Sequence, residues 1–144
     1  MSMYKSNLTH DEYLQQQNIV RELCYSLGLK EVRNGYEIQF WTPGHPRIFG
    51  ECVRLFDYVS HPVDRVVFFY GLSEYDSTDH SYCFHNNMTV IKNHFGIDCD
   101  NNHFSFPLCE KDLDNLSRII KENIEDAKRV SQILLFKEIS KDFK

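Results

Sequence analysis

Residues that build tight loops and cross-links are scarce in this chain. Six glycines and four prolines are spread over 144 residues. That leaves little material for a phosphate-cradling Gly-rich loop, and there is no low-complexity linker or internal repeat. No Gly-x-Ser-x-Gly elbow and no His-Glu-x-x-His pair occurs, so the familiar hydrolase and metalloprotease signatures are missing. Five cysteines, Cys24, Cys52, Cys83, Cys99 and Cys109, are odd in number and widely scattered, which is not a disulfide framework. Long apolar runs are also lacking: the longest, Val66 to Tyr70, is far short of the roughly 20 residues of a membrane span. Met1 to Leu8 is polar, without the apolar core of a signal peptide. These features lead us to expect a cytoplasmic protein that does not engage a membrane. On that expectation the sequons Asn7-Leu8-Thr9 and Asn87-Met88-Thr89 are chance matches.

What is present suits one globular domain over residues 1–144. Hydrophobic residues make up 42% and charged residues 26%, close to globular norms, which removes disordered and fibrous classes. Aromatics are abundant, with eleven Phe, eight Tyr and one Trp.

The net charge of −5 is unevenly placed. Residues 1–72 and 103–144 are almost balanced, whereas residues 73–102 hold one base, Lys92, against Glu74, Asp76, Asp79, Asp98 and Asp100. Phosphate neutralisation needs clustered Lys and Arg, so direct nucleic-acid binding is disfavoured and a basic protein partner is compatible. The plainer alternative is a solvated acidic loop region.

Local patterns predict the elements. Thr9-His10-Asp11-Glu12 matches a capping box, with Leu8 and Tyr13 at the staple positions. Apolar Tyr13, Val20, Leu23, Cys24 and Leu27 keep helical spacing, with Gln15–Asn18 on the wet side, so a helix is predicted over 9–27 and stopped by Gly28. After the Asn34-Gly35 turn, Tyr36, Ile38 and Phe40 alternate with Glu37, Gln39 and Trp41 in a half-buried strand that ends at Thr42–Pro46. A second strand is predicted near 48–58, and Val66–Tyr70, apolar on both faces, as the central strand of an antiparallel meander. Residues 73–81 read as polar turns, Tyr82–Phe84 as a short strand, and Met88–Phe95 as either helix or strand. His103–Pro107 reads as the last strand. Leu113, Leu116, Ile120, Ile124, Ala127 and Leu134 place a long helix from Asp112 to about Lys137. Its last turns are apolar nearly all round, which predicts burial in a partner, in a homodimer, or under the N-terminal helix. The expected fold is α+β: an antiparallel sheet of about four to five strands packed by an N-terminal and a long C-terminal helix.

Several constellations carry candidate chemistry. His80, Cys83, Cys99 and His103 form two soft donor pairs, but the spacing lacks the tight Cys knuckle of structural zinc, and apolar neighbours suit Cys83 and Cys99 as small core residues. Asp98-Cys99-Asp100-Asn101-Asn102 opens like a calcium loop, yet His103 stands where Gly is needed and Cys109 where Glu is needed. Cys83 and His85 share a strand face without a cleft. No metal or cofactor is expected from these patterns. Trp41 on the polar phase of its strand, with Tyr75 and Tyr82 inside the acidic stretch, supplies aromatic anchors beside carboxylates. The alternative for Trp41 is packing under a helix.

The binding residues expected are therefore Trp41, Glu74, Tyr75, Asp76, Asp79, Tyr82, Asp98 and Asp100. The function expected is a non-enzymatic inhibitor that occludes a basic protein partner. In size and charge the chain is similar to immunity proteins against secreted bacterial toxins and to inhibitors made by phages. The order helix, three strands, helix, strand, long helix also resembles the small acidic dimeric chaperones of injection systems. It departs from them by one missing strand before the last helix and by having no Leu-rich dimer helix in the middle. An enzyme of unrecognised type is the third alternative.

Overall fold

The computed structural model describes residues 8–43, 48–49, 51–57, 65–76, 81–85, 95–96 and 101–141. Helix α1 (His10–Ser26) starts as its capping box dictates. The Thr9 hydroxyl accepts from the Glu12 amide at 3.2 Å, and the Glu12 carboxylate accepts from the Thr9 amide at 3.0 Å. That bond from the Thr9 amide, ahead of the one to its hydroxyl, lowers the Glu12 pKa. Gly28, at φ 93°, reverses the chain. The buried stripe of α1 is Tyr13, Gln17, Val20 and Cys24, which corrects the expectation that Gln15–Asn18 all face water. Gln17 turns inward because its amide satisfies the Phe56 carbonyl at 2.9 Å, and the Gln16 side chain accepts from the Leu108 amide at 2.9 Å. A buried amide is tolerated when it closes an otherwise orphaned backbone group.

Five strands form the main sheet: β1 (Lys30–Asn34), β2 (Glu37–Trp41), β4 (Val53–Phe56), β5 (Val66–Phe69) and β8 (His103–Ser105). They run antiparallel in the order β1-β2-β4-β5-β8. A second sheet holds β3 (Ile48–Phe49), β6 (Gly71–Asp76) and β7 (Ser81–His85) in the order β3-β7-β6, with β3 parallel to β7. The α+β class and the two packing helices stand as expected. Four details differ. Residues 30–34 form an edge strand that was not expected, because a single apolar residue, Val32, gives no readable alternation. The strand expected near 48–58 is two strands in different sheets. Val66–Phe69 is not central: β4 is, with β5 between β4 and β8. Residues 73–76 of the expected 73–81 turn region are strand, the second part of β6, their alternation hidden by a register shift between Leu72 and Glu74.

One face of the main sheet and α1 enclose the principal core, which includes Ile38, Phe40, Val53, Leu55, Val67 and Phe69. Phe69 stacks on Phe104 with centroids 4.9 Å apart. The long helix α2 (Glu110–Lys141) has 32 residues, about 48 Å at 1.5 Å per residue. Its buried positions, Leu116, Ile119, Ile120, Asn123, Ala127, Val130 and Leu134, make one continuous stripe. The first part of the stripe joins the principal core, and Ala127, Val130 and Leu134 form a separate small cluster with Leu72 of β6. The end of α2 thus rests on the second sheet rather than under α1. Ile133, Leu135 and Phe136 remain 37%, 53% and 71% exposed.

Candidate functional site

Antiparallel register sets which side chains can meet on the sheet face turned away from the helices. Val32, Gln39, Arg54, Phe68 and His103 are successive cross-strand partners, forming a row across all five strands. Arg54 is the hub of this row. Its Nη2 lies 3.1 Å from Glu37 Oε1 and also pairs with Glu51, while its guanidinium stands 5.7 Å from the Phe56 ring and 5.9 Å from the Tyr70 ring. Gln39 Nε2 donates to Glu37 Oε1 at 3.1 Å, and Trp41 Nε1 donates to Gln39 Oε1 at 3.0 Å. The single tryptophan is therefore half-buried and tied through Gln39 to the Arg54 ion pairs.

Burial decides the protonation behaviour here. It pushes the Tyr70 phenol up to about 12, with Arg54 opposing and Glu51 and Glu37 reinforcing the shift. Burial also lowers His103, whose ring sits 5.8 Å from Phe68. An Arg clasped by two carboxylates and two aromatic faces is a hydrogen-bonded cluster that keeps a net charge of about −1. It can order a surface and accept a partner's polar groups at its rim. Arg54 Nε is buried without a hydrogen-bond partner among the described residues. Sequence alternation identified Glu37, Gln39 and Trp41 as sharing a face. It missed Glu51, Arg54, Tyr70 and His103, which join them only through strand register.

The expected binding residues are distributed between the two sheets. Trp41 ends β2 of the main sheet, opposite Lys30. Glu74, Tyr75 and Asp76 lie on β6 and Tyr82 on β7, with Tyr75 opposite Tyr82, Glu74 opposite Cys83 and Asp76 opposite Ser81. Register puts positions 74 and 76 on one face of this hairpin and positions 75 and 82 on the other. Asp79, Asp98 and Asp100 lie outside the described residues, as do His80 and Cys99 of the possible zinc set and most of Met88–Phe95. Phe95 is helical, and Gly96 follows it at φ 64°. Cys83 sits in β7 and His103 in β8, so these two possible zinc donors belong to different sheets. Among the described residues, no group of three His, Cys, Asp or Glu side chains is placed to hold a metal.

Nucleophilic chemistry has poor material in Cys24 and Cys52. Both are buried, and burial pushes both thiols well above their ordinary range, away from the reactive thiolate. Cys109 is exposed just before α2, where its amide donates to Asp112 Oδ2 at 3.2 Å. A shallow open hollow on α2 is lined by Lys121, Glu122, Glu125 and Asp126, all from that one helix. No described helix is long and apolar enough to cross a membrane. No protein-family model matches the chain, and neither the curated proteins nor the solved structures contain a match to it.

Proposed function

We propose that this protein is a non-enzymatic, cytoplasmic binding protein that occludes a basic protein partner, in the manner of an immunity protein or a phage-made inhibitor. The observation that carries this reading is the segregation of charge. The segment with five acids against one base, residues 73–102, contributes most of β6 and all of β7 to the second sheet, where they lie beside β3. Glu74 and Asp76 fall on the outer strand of that sheet, where the order is β3-β7-β6. Carboxylates gathered this way steer a cationic partner and speed encounter, and they do so less at high salt. Trp41 and the ordered Arg54 cluster offer a second, pre-formed surface on the main sheet. The test is affinity capture from the native host with the intact chain and with E74K/D76K. The expected result is a basic protein retained in about 1:1 ratio by the parent chain and lost from the charge-reversed one. Recovery of oligonucleotides or a metabolite with no protein, or equal retention by both chains, would overturn the proposal.

A second reading, a small acidic dimeric chaperone for an effector segment, draws on the exposed apolar side chains Ile133, Leu135 and Phe136 near the end of α2. Sedimentation of the purified protein separates the two. A dimer that captures an unfolded segment supports the chaperone, and a monomer at micromolar concentration removes it.

A further inference from the structure

Hydrogen-bond parity decides which backbone groups of β1 face outward. Along β2 and the residue before it, the Tyr36 and Phe40 carbonyls accept from the Asp57 and Cys52 amides at 2.7 and 2.9 Å, on the β4 side. Glu37, Gln39 and Trp41 therefore turn their backbone groups toward β1, where Asn34, Val32 and Lys30 stand opposite them. That leaves the N–H and C=O of Glu31 and Arg33 pointing away from the sheet. β1 is an edge strand, and its Lys30, Arg33 and Asn34 are exposed. Among the described residues, no hydrogen bond reaches these four outward backbone groups. A row of this kind is a template for a further strand.

The side chains say which strand fits. Outward groups occur only at alternate positions, so two β1 strands paired antiparallel have few registers in which they can bond. With Val32 opposite Val32 on a two-fold axis, Glu31 meets Arg33 of the second copy, and Arg33 meets its Glu31. A slide of two residues either way sets Glu31 against Glu31 or Arg33 against Arg33, and like charges directly opposite are destabilising. Within one chain Glu31 accepts from the Tyr25 hydroxyl at 2.8 Å and pairs with Arg21 at 3.0 Å, while Arg33 pairs with Asp57 at 3.1 Å. Across the axis the signs would alternate from Arg21 and Glu31 to Arg33 and Asp57 of the second copy. We propose that this chain forms a two-fold homodimer through β1, its Glu31 and Arg33 backbone groups bonding to Arg33 and Glu31 of a second copy and merging the two main sheets into one. β1 belongs to the main sheet and β6 and β7 to the second, so the pairing does not rest on the partner proposed above.

Sedimentation of the intact chain over a range of concentrations, with amide exchange followed by NMR at each, tests this. A reversible monomer–dimer equilibrium is expected, because an edge-to-edge contact is small. The Glu31 and Arg33 amides should gain protection as the dimer forms, whereas those of Val32 and Asn34, already directed at β2, should not change. E31K and R33E should each weaken dimerisation by roughly 10-fold, since both symmetric pairs then oppose like charges. Mixed together, the two variants should recover a 1:1 heterodimer, because each substituted position then meets its opposite charge. L135S/F136S, at the exposed end of α2, should leave dimerisation unchanged. The exchange readout on the parent chain covers the case in which a variant fails to fold. A chain that stays monomeric, Glu31 and Arg33 amides indifferent to concentration, or a dimer lost in L135S/F136S and kept in E31K and R33E, would overturn the β1 pairing.

Discussion

The five-stranded sheet meets its helices through a dense set of buried side chains, with Phe40 and Phe69 fully enclosed and Phe69 stacked on Phe104. The three-stranded sheet meets the same long helix, among the described side chains, through Leu72. A single helical stripe of constant period serves both, from Leu116 to Leu134. Among the described side chains, the two halves of the stripe face different partners. Where large rings interdigitate, packing sets the geometry and tolerates no voids. At the start of β6, beside Leu72, two hydrogen bonds from the Asn123 amide to the Tyr70 carbonyl and the Leu72 amide help set the position of the strand. Helix periodicity alone says that α2 is buried along its length, and it is silent on how firmly each half is held.

The sharpest way to break this comparison is to truncate one buried side chain on each side. F69A should cost about 3–5 kcal/mol, because it removes a fully buried ring from the large core, and should lower the midpoint of a cooperative denaturant transition read by circular dichroism. L134A should cost about 2–3 kcal/mol, near the lower end for buried leucines, and should flatten the transition rather than shift it whole. Equal and parallel shifts would show that the two clusters behave as one.

Next in size is R54M on the outer face of the main sheet. It leaves Glu51 and Glu37 without their partner, and half-buried ion pairs of this kind should cost about 1–3 kcal/mol when one member is lost. Trp41, the single tryptophan, is linked to the pair through Gln39 and Glu37, so its fluorescence should change as well. An unchanged spectrum and midpoint would mean that the network contributes nothing.

T9A removes one half of the α1 capping box and should cost about 1 kcal/mol, seen as a uniform fall in thermal midpoint because α1 belongs to the large core. The smallest effect should come from Y13F. The Tyr13 hydroxyl is buried without a hydrogen-bond partner among the described residues, beside the Arg65 guanidinium 5.2 Å from its ring. Deleting it should be neutral or stabilising by up to about 1 kcal/mol. A clear loss of stability would point to a buried water on that oxygen.

Much of the framework was legible because its signals are local. The Thr9–Glu12 box, Gly28 and the 3.6-residue stripes announce both helices, and alternation announces β2 and part of β8. Gln17 was misread because an amide on a helix looks solvent-facing until the carbonyl it closes, at Phe56, is known. β1 was missed because Lys30-Glu31-Val32-Arg33-Asn34 owes its strand state to pairing with β2 across the turn at Asn34–Gly35. β6 was missed because the extra residue at Ser73 breaks period two just where the reading depends on it. The Arg54 cluster was invisible for a related reason: Gln39, Arg54, Phe68 and His103 are up to 64 residues apart in the chain and meet only through register.

The amino-acid order by itself determined where α1 begins and stops, that a long helix with an apolar stripe closes the fold (though it runs to Lys141 rather than about Lys137), and that residues 73–102 carry an excess of acid, since each of these depends on neighbours within a few turns. Only the tertiary structure decided that residues 48–49 and 53–56 enter different sheets, that β4 rather than β5 is central, and that Asn123 stands at the boundary. Strand pairing satisfies backbone groups across long stretches of chain, so its outcome depends on every competing partner at once and not on any local run of residues.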